Sequence, residues 1–394
     1  SGIRVPISII RPVSSYWYEP MAYQLNINWP EFLEKYWQKQ PVVLKKAFAN
    51  FVDPITPDEL AGLAMEPEVD SRLVSLKNGQ WQASNGPFEH FDGLGETGWS
   101  LLAQAVNHWH MPAAELVRPF RVLPDWRLDD LMISFSVPGG GVGPHIDQYD
   151  VFIIQGMGSR RWRVGDKLPM RQFCPHPALL HVDPFPPIID EDLEPGDILY
   201  IPPGFPHDGI THETALNYSV GFRGPNGRDL ISSFADYALE NDLGGEHYSD
   251  PDLTCREHPG RVEEYELERL RGMMIEMISQ PEDFRQWFGR FATTPRHELD
   301  IAPAEPPYAE EEIVDALEGG EMLTRLSGLR VLHIGDDFFV NSEQLEPTEP
   351  AALDALCRYT LLGKDELGER ALRNPAFIAE LTRLINQGYW FFDE

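Results

Sequence analysis

Cysteine is scarce in this chain. Only Cys174, Cys255 and Cys357 occur in 394 residues, far apart and with no Cys-x-x-Cys pair. That excludes a disulfide scaffold and argues for a reducing, cytoplasmic compartment. No apolar run approaches the roughly 20 residues of a membrane-spanning helix, and no signal-peptide core opens the chain. Met21 reads as the natural start, so residues 1–20 are expected to be an appended leader outside the fold. Cations are also few. Lys plus Arg number 32 against 63 Asp plus Glu, a formal net charge of −31. A field of that sign repels nucleic acid and anionic membrane and attracts basic partners. Repeats and low-complexity tracts are absent.

What is there is a globular composition, 42% apolar, long enough for two or three domains. Helical spacing is expected over 29–37, 57–64 and 100–106, with a short strand at 41–44. A hairpin is expected around Asn78-Gly79. From residue 132 to about 223 the chain alternates short strands (132–137, 151–155, 161–164, 197–201 and 217–222) with Gly/Pro turns. Antiparallel strands at that spacing predict a jelly roll. Helical patterns follow over 230–239, 262–277 and 282–291, carrying an apolar stripe that includes Met273, Met274, Phe284 and Trp287. After a Pro-rich linker at 303–307 come a helix, a hairpin, further helices and a closing strand at 389–392. That pattern predicts a winged-helix-like domain. The fold class expected is α+β and multidomain, divided at 21–228, 229–302 and 303–394.

The working stretch is Val137 to Asp150, in which a glycine-rich loop runs into His145-Ile-Asp147. On a strand, side chains at i and i+2 share a face, which would bring the imidazole and carboxylate together. His207, just past the Pro202-Pro203-Gly204 turn, supplies a third ligand. Two histidines and one carboxylate leave metal positions open. This is the facial triad of non-haem Fe(II) oxygenases, whose open positions take an organic cosubstrate and O2; zinc is the chemical competitor. His108, His110, His176 and His181 read as structural or surface residues, the last two in a Pro-rich loop.

A buried dicarboxylate cosubstrate requires a fixed cation. On the strand Arg160 to Val164, Arg160 shares a face with Trp162 and Val164 and is expected to point inward, with Arg161 and Arg163 facing solvent. Asn217 and Ser219 share a face of another strand and would complete the cosubstrate pocket. Tyr149 and Ser134 lie near enough in sequence to meet a substrate. The glycines from 139 to 143 read as a flexible rim for peptide entry, or simply as a turn.

The His145-x-Asp147 pair, the Pro-Pro-Gly-Phe-Pro-His207 segment and Pro41-Val-Val-Leu44 resemble the JmjC/cupin-like 2-oxoglutarate oxygenases. Phe152-Ile-Ile-Gln-Gly156 and Gly388-Tyr-Trp-Phe-Phe392 extend the likeness along the chain, toward the bacterial ribosomal oxygenases that hydroxylate arginine. The resemblance implies a double-stranded β-helix catalytic domain, a helical dimerisation domain that makes a homodimer, and a C-terminal winged helix. It implies Fe(II) at His145, Asp147 and His207, and 2-oxoglutarate with its far carboxylate on Arg160. O2 would be consumed and succinate and CO2 released. The implied reaction is β-carbon hydroxylation of an arginyl side chain in the sixteenth protein of the large ribosomal subunit. An acidic enzyme suits a basic ribosomal substrate. Ser159 stands where more basic character is expected. The winged helix is read as protein-contacting rather than DNA-binding, because Arg373 and Arg383 are the nearby cations of its helix at 374–386. The alternatives are a JmjC-type demethylase and a non-catalytic acidic binding factor for basic ribosomal proteins.

Overall fold

The computed structural model describes residues 23–393, so the leader expected over 1–20 lies outside the described residues. In chain order the strands of the first half are β1 (Val42–Leu44), β2 (Ser71–Lys77), β3 (Gln80–Asn85), β4 (Trp99–Ala103), β5 (Leu128–Ser136), β6 (Asp150–Gln155) and β7 (Arg160–Gly165). They continue as β8 (Gln172–His176), β9 (Leu179–Val182), β10 (Pro187–Leu193), β11 (Ile198–Ile201), β12 (His207–Thr211) and β13 (Ala215–Phe222). One sheet runs β1-β11-β6-β13-β5-β4-β2-β3, a second runs β10-β7-β12, and β8–β9 is a separate hairpin. The pairings are antiparallel, for example β6 with β11 and β13. This is the double-stranded β-helix of the JmjC/cupin type.

Strand β6 shows why the sheets close as they do. All six of its residues are buried, so it lacks the polar alternation of a half-exposed strand. Period 2 still divides its apolar side chains between two cores. Val151 and Ile153 pack with Trp162 and Val164 of the facing sheet. Phe152 and Ile154 point the other way, beneath the N-terminal helices Trp29–Lys35 and Pro57–Ala64. The Phe152 ring is 5.4 Å from Phe32, 5.1 Å from Phe120 and 5.0 Å from Tyr200.

Three expectations need correction. Residues 100–106 do not form a helix. Trp99–Ala103 is strand β4, paired with β2 and β5, because its apolar residues are buried on both faces and carry no period that distinguishes strand from helix. His176 and His181 lie on β8 and β9, not in a loop. The glycine rim is packed. A Cβ on Gly140 would sit 2.3 Å from the Trp99 carbonyl, and one on Gly141 would sit 2.5 Å from the Gly209 carbonyl. Those glycines allow close backbone approach.

Helices Gly227–Glu240, Glu264–Ile278 and Pro281–Thr293 follow. The C-terminal part then pairs Val331–Ile334 with Asp337–Val340 and packs Pro350–Arg358 and Pro375–Asn386 around Trp390 and Phe377, which have no exposed surface. This is the winged helix. Among the described residues no helix is long and apolar enough to cross a membrane. We expect Phe152→Ala to destabilise the first half by about 3–5 kcal/mol. A urea titration followed by tryptophan fluorescence checks this, and an unchanged midpoint would contradict the shared role of β6.

Candidate metal centre

His145 is not on a strand with Asp147. It forms an isolated antiparallel bridge with His207. The bridge is closed in both directions, His145 N to His207 O at 3.0 Å and His207 N to His145 O at 2.9 Å. The chain then turns, and the Asp147 carbonyl accepts from Gly204 N at 2.8 Å. The predicted convergence therefore occurs, but through a bridge to the start of β12 and a turn rather than through strand alternation.

Main-chain carbonyls fix both imidazoles. His145 Nδ1 donates to Gly143 O at 2.8 Å, and His207 Nδ1 donates to Phe205 O at 3.0 Å. A carbonyl only accepts, so Nδ1 carries a proton in each ring, and in the neutral imidazole Nε2 presents a lone pair. Those atoms face Asp147 Oδ2 at 3.5 Å and 3.3 Å. Three electron-pair donors thus converge within 4.8 Å of one another. Three such donors repel unless a cation lies between them, and two imidazoles with one carboxylate suit a divalent transition metal. Behind them, His181 Nε2 donates to Val142 O at 2.7 Å. Its ring fills the space a Cβ on Gly143 would need, at 2.2 Å. Gly143 has φ +85°, which favours glycine. His181, read from sequence as a bland residue, therefore supports the loop that orients His145.

Arg160 points inward with Trp162 and Val164, while Arg161 and Arg163 are exposed, as strand parity predicted. Its guanidinium donates to Gly209 O at 2.8 Å, Asn217 Oδ1 at 3.2 Å and Ser136 Oγ at 3.5 Å, and its Nε has no partner. All those partners are neutral. Burial pulls the guanidinium down to about 10, still cationic at neutral pH. Its hydrogen bonds all go to neutral groups, the Asp208 carboxylate acting on it only through charge, and a buried cation so held suits an anionic ligand. Asn217 is itself oriented by donating to Gln155 Oε1 at 2.8 Å. Ser219 lies two residues on and lines the same cavity of about 370 Å³, together with Tyr149 and Ser134.

The far end of that cavity holds residues the sequence reading missed. Asp129 accepts from Arg223 Nε and from Arg296 Nε, each at 2.9 Å. Its charge is thereby neutralised, which argues against a second metal at the Asp129–Asp130–His297 group. Asp130 accepts from Ala105 N at 2.7 Å, and His297 Nε2 stands 3.7 Å away. Burial and then the neighbouring Asp129 push the Asp130 carboxyl up. Asp130, Met132 and Ser134 follow each other at period 2 on β5, and all three line the cavity. That alternation was the available signal. Arg223 also lies over the Tyr149 ring, 4.5 Å from its centre.

Residues 115–230 match the JmjC domain model and residues 276–391 match the ROXA-like winged helix model. The chain is 66% identical to the ribosomal protein uL16 3-hydroxylase of Escherichia coli over 373 residues, 95% of this chain and 100% of that one. An X-ray structure of E. coli YcfD superposes with a TM-score of 0.92 at 66% identity, covering 95% of this chain and 100% of that chain. A structure of E. coli YcfD, a ribosomal oxygenase, in complex with cobalt and 2-oxoglutarate superposes with a TM-score of 0.89 at 64% identity, covering 94% and 100%. Sequence, fold and the convergent histidine–aspartate site agree, and the chain belongs to the JmjC-domain ribosomal oxygenases that carry a ROXA-like winged helix.

Proposed function

We propose that this chain hydroxylates the β-carbon of an arginyl side chain in ribosomal protein uL16. It is a 2-oxoglutarate-dependent oxygenase that uses Fe(II) and O2. The observation that carries the reading is a single cavity with three metal-donor atoms beside a buried guanidinium bonded only to neutral oxygens. In this reading His145, Asp147 and His207 hold the iron. Bound Fe(II) supplies oxygen activation, coupling conversion of 2-oxoglutarate to succinate and CO2 with transfer of one oxygen atom to the substrate. Arg160 pairs with the far carboxylate of the cosubstrate. Asn217, braced by Gln155, keeps the guanidinium in place, and Ser219 borders the same space. Asp130, the carboxylate without a close cation, faces the incoming guanidinium, and Tyr149 forms the adjoining wall. The net charge of −31 steers a basic ribosomal protein toward the enzyme.

We assign residues 21–228 to catalysis, 229–302 to a helical dimerisation domain and 303–394 to the winged helix. The dimer rests on helix Glu264–Ile278, which has no buried residue. Met274 is 65% exposed there, and Leu239 of helix Gly227–Glu240 is 78% exposed. A second copy would cover these apolar side chains. The winged helix serves protein contacts rather than DNA. Its helix Pro375–Asn386 turns six residues inward, and Arg383 is tied to Glu343 at 3.0 Å. The cytoplasm suits its three free cysteines.

The deciding experiment is anaerobic reconstitution with Fe(II), then succinate release with and without a uL16 peptide. We expect peptide-stimulated succinate and a peptide heavier by one oxygen. A peptide lighter by a methyl group would instead favour the demethylase reading, and no stimulation would sink both. Asp147→Ala should abolish turnover while leaving the circular dichroism spectrum intact; retained turnover removes Asp147 from the site. Arg160→Ala deletes charge-assisted hydrogen bonds and should raise the KM for 2-oxoglutarate roughly 100-fold. An unchanged KM would point to another anchor. Leu270→Glu with Met274→Glu should convert a dimer into a monomer in sedimentation velocity, and an unaltered mass would move the interface elsewhere.

A further inference from the structure

The acid-lined end of the cavity is assembled from distant parts of the chain. Asp129 and Asp130 belong to β5, and Arg223 follows β13. Arg296 and His297 belong to the segment after helix Pro281–Thr293. Arg296 bridges the two walls, with Nε on Asp129 at 2.9 Å and Nη2 on His297 Nε2 at 3.2 Å. The spacing between these walls decides whether a cationic side chain can reach Asp130.

Arg330 spans both walls from behind. It lies in the winged-helix part, just before the strand Val331–Ile334. Its Nη2 donates to Leu128 O at 2.5 Å, and its Nη1 donates to Trp126 O at 3.3 Å and Ala292 O at 3.4 Å. Leu128 immediately precedes Asp129 and Asp130. Ala292 lies four residues before Arg296. Burial pulls the Arg330 guanidinium below its ordinary range. A packed apolar side chain would join the two parts without that desolvation penalty. What a guanidinium adds is directional donors to carbonyls on two separate backbones.

The same segment is held at other points. Ser342 N donates to Thr293 Oγ1 at 3.0 Å, again from the winged-helix part. His108 Nδ1 donates to Glu298 O at 2.9 Å from the catalytic side. Burial lowers His108 to about 4, so this ring is neutral at physiological pH and its hydrogen bond persists.

We propose that Arg330 is a positioning residue for substrate recognition, setting from the winged-helix part the spacing between Asp129–Asp130 and Arg296–His297. The proposal rests on the arginyl-substrate reading above. At the cosubstrate end Arg160 of β7 is held by Asn217 of β13, Gly209 of β12 and Ser136, which closes β5 at the opposite end from Leu128, so Arg330 governs the peptide and not 2-oxoglutarate.

The test is steady-state turnover of the full-length enzyme with a uL16 peptide, comparing Arg330→Met and Arg330→Lys with the parent. We expect Arg330→Met to raise the peptide KM about tenfold or more while the 2-oxoglutarate KM stays within about twofold. Arg330→Lys, which keeps the charge and part of the bonding, should fall between. Peptide KM values at the parental level, or a parallel rise in both KM values, overturn the positioning role. Should Arg330→Met fail to fold by circular dichroism, Arg330→Lys decides on the same criteria. A parent enzyme without peptide-stimulated turnover overturns the substrate reading and the positioning role with it. Parental turnover with an unselective variant overturns the positioning role alone.

Discussion

The bridge between His145 and His207 is the constraint on which the site depends. Two main-chain hydrogen bonds join a loop to the first residue of β12, so the two imidazoles start from backbones of fixed separation. Each ring is then turned by the carbonyl two residues earlier, Gly143 for His145 and Phe205 for His207. The donor set is thereby oriented by backbone, which loses little rotamer freedom when a metal arrives. Gly143 and the His181 ring beneath it complete the support, which is why the glycine loop is dense rather than open.

The cavity separates two electrostatic tasks. At one end a buried guanidinium hydrogen-bonds only to neutral oxygens, leaving room for an anion. At the other end two carboxylates sit side by side, and two arginines neutralise only Asp129. Like charges that close would destabilise each other in a low-dielectric site. Pairing one of them leaves a single acceptor, Asp130, to define the chemistry of that end. A dicarboxylate and a cationic side chain can therefore share one cavity without competing for the same groups.

Much of this was legible in the residues. The inward aim of Arg160 followed from strand parity, and the convergence of His145, Asp147 and His207 was expected from residue type, turn chemistry and family resemblance. Helix Pro57–Ala64 was legible from its helical spacing, and the structure adds a capping box of Thr56 and Glu59 at its start. Other elements were not legible for physical reasons. Strand β4 is apolar on both faces, so its residues carry no usable period. Strands β8, β9 and β12 are short, and proline interrupts β8. The period-2 run from Asp130 to Ser134 on β5 was available, but its acid pair had little contrast in so acidic a chain. Arg296, His297 and Arg330 reach β5 from more than 150 residues away along the chain, a proximity that no local pattern encodes.

Strand β6 has a further consequence for how much chain the catalytic unit comprises. The JmjC match begins at residue 115, yet the outer face of β6 is covered by Trp29, Phe32 and Trp37. A fragment trimmed to the matched region would leave Phe152 and Tyr200 facing water, and would strip Asp150 of its bond from Gln38 at 2.9 Å. Asp150 opens β6 only three residues after Asp147. The N-terminal helices and the metal loop therefore belong to one cooperative folding unit, and the smallest autonomous catalytic fragment must reach back to the first helix.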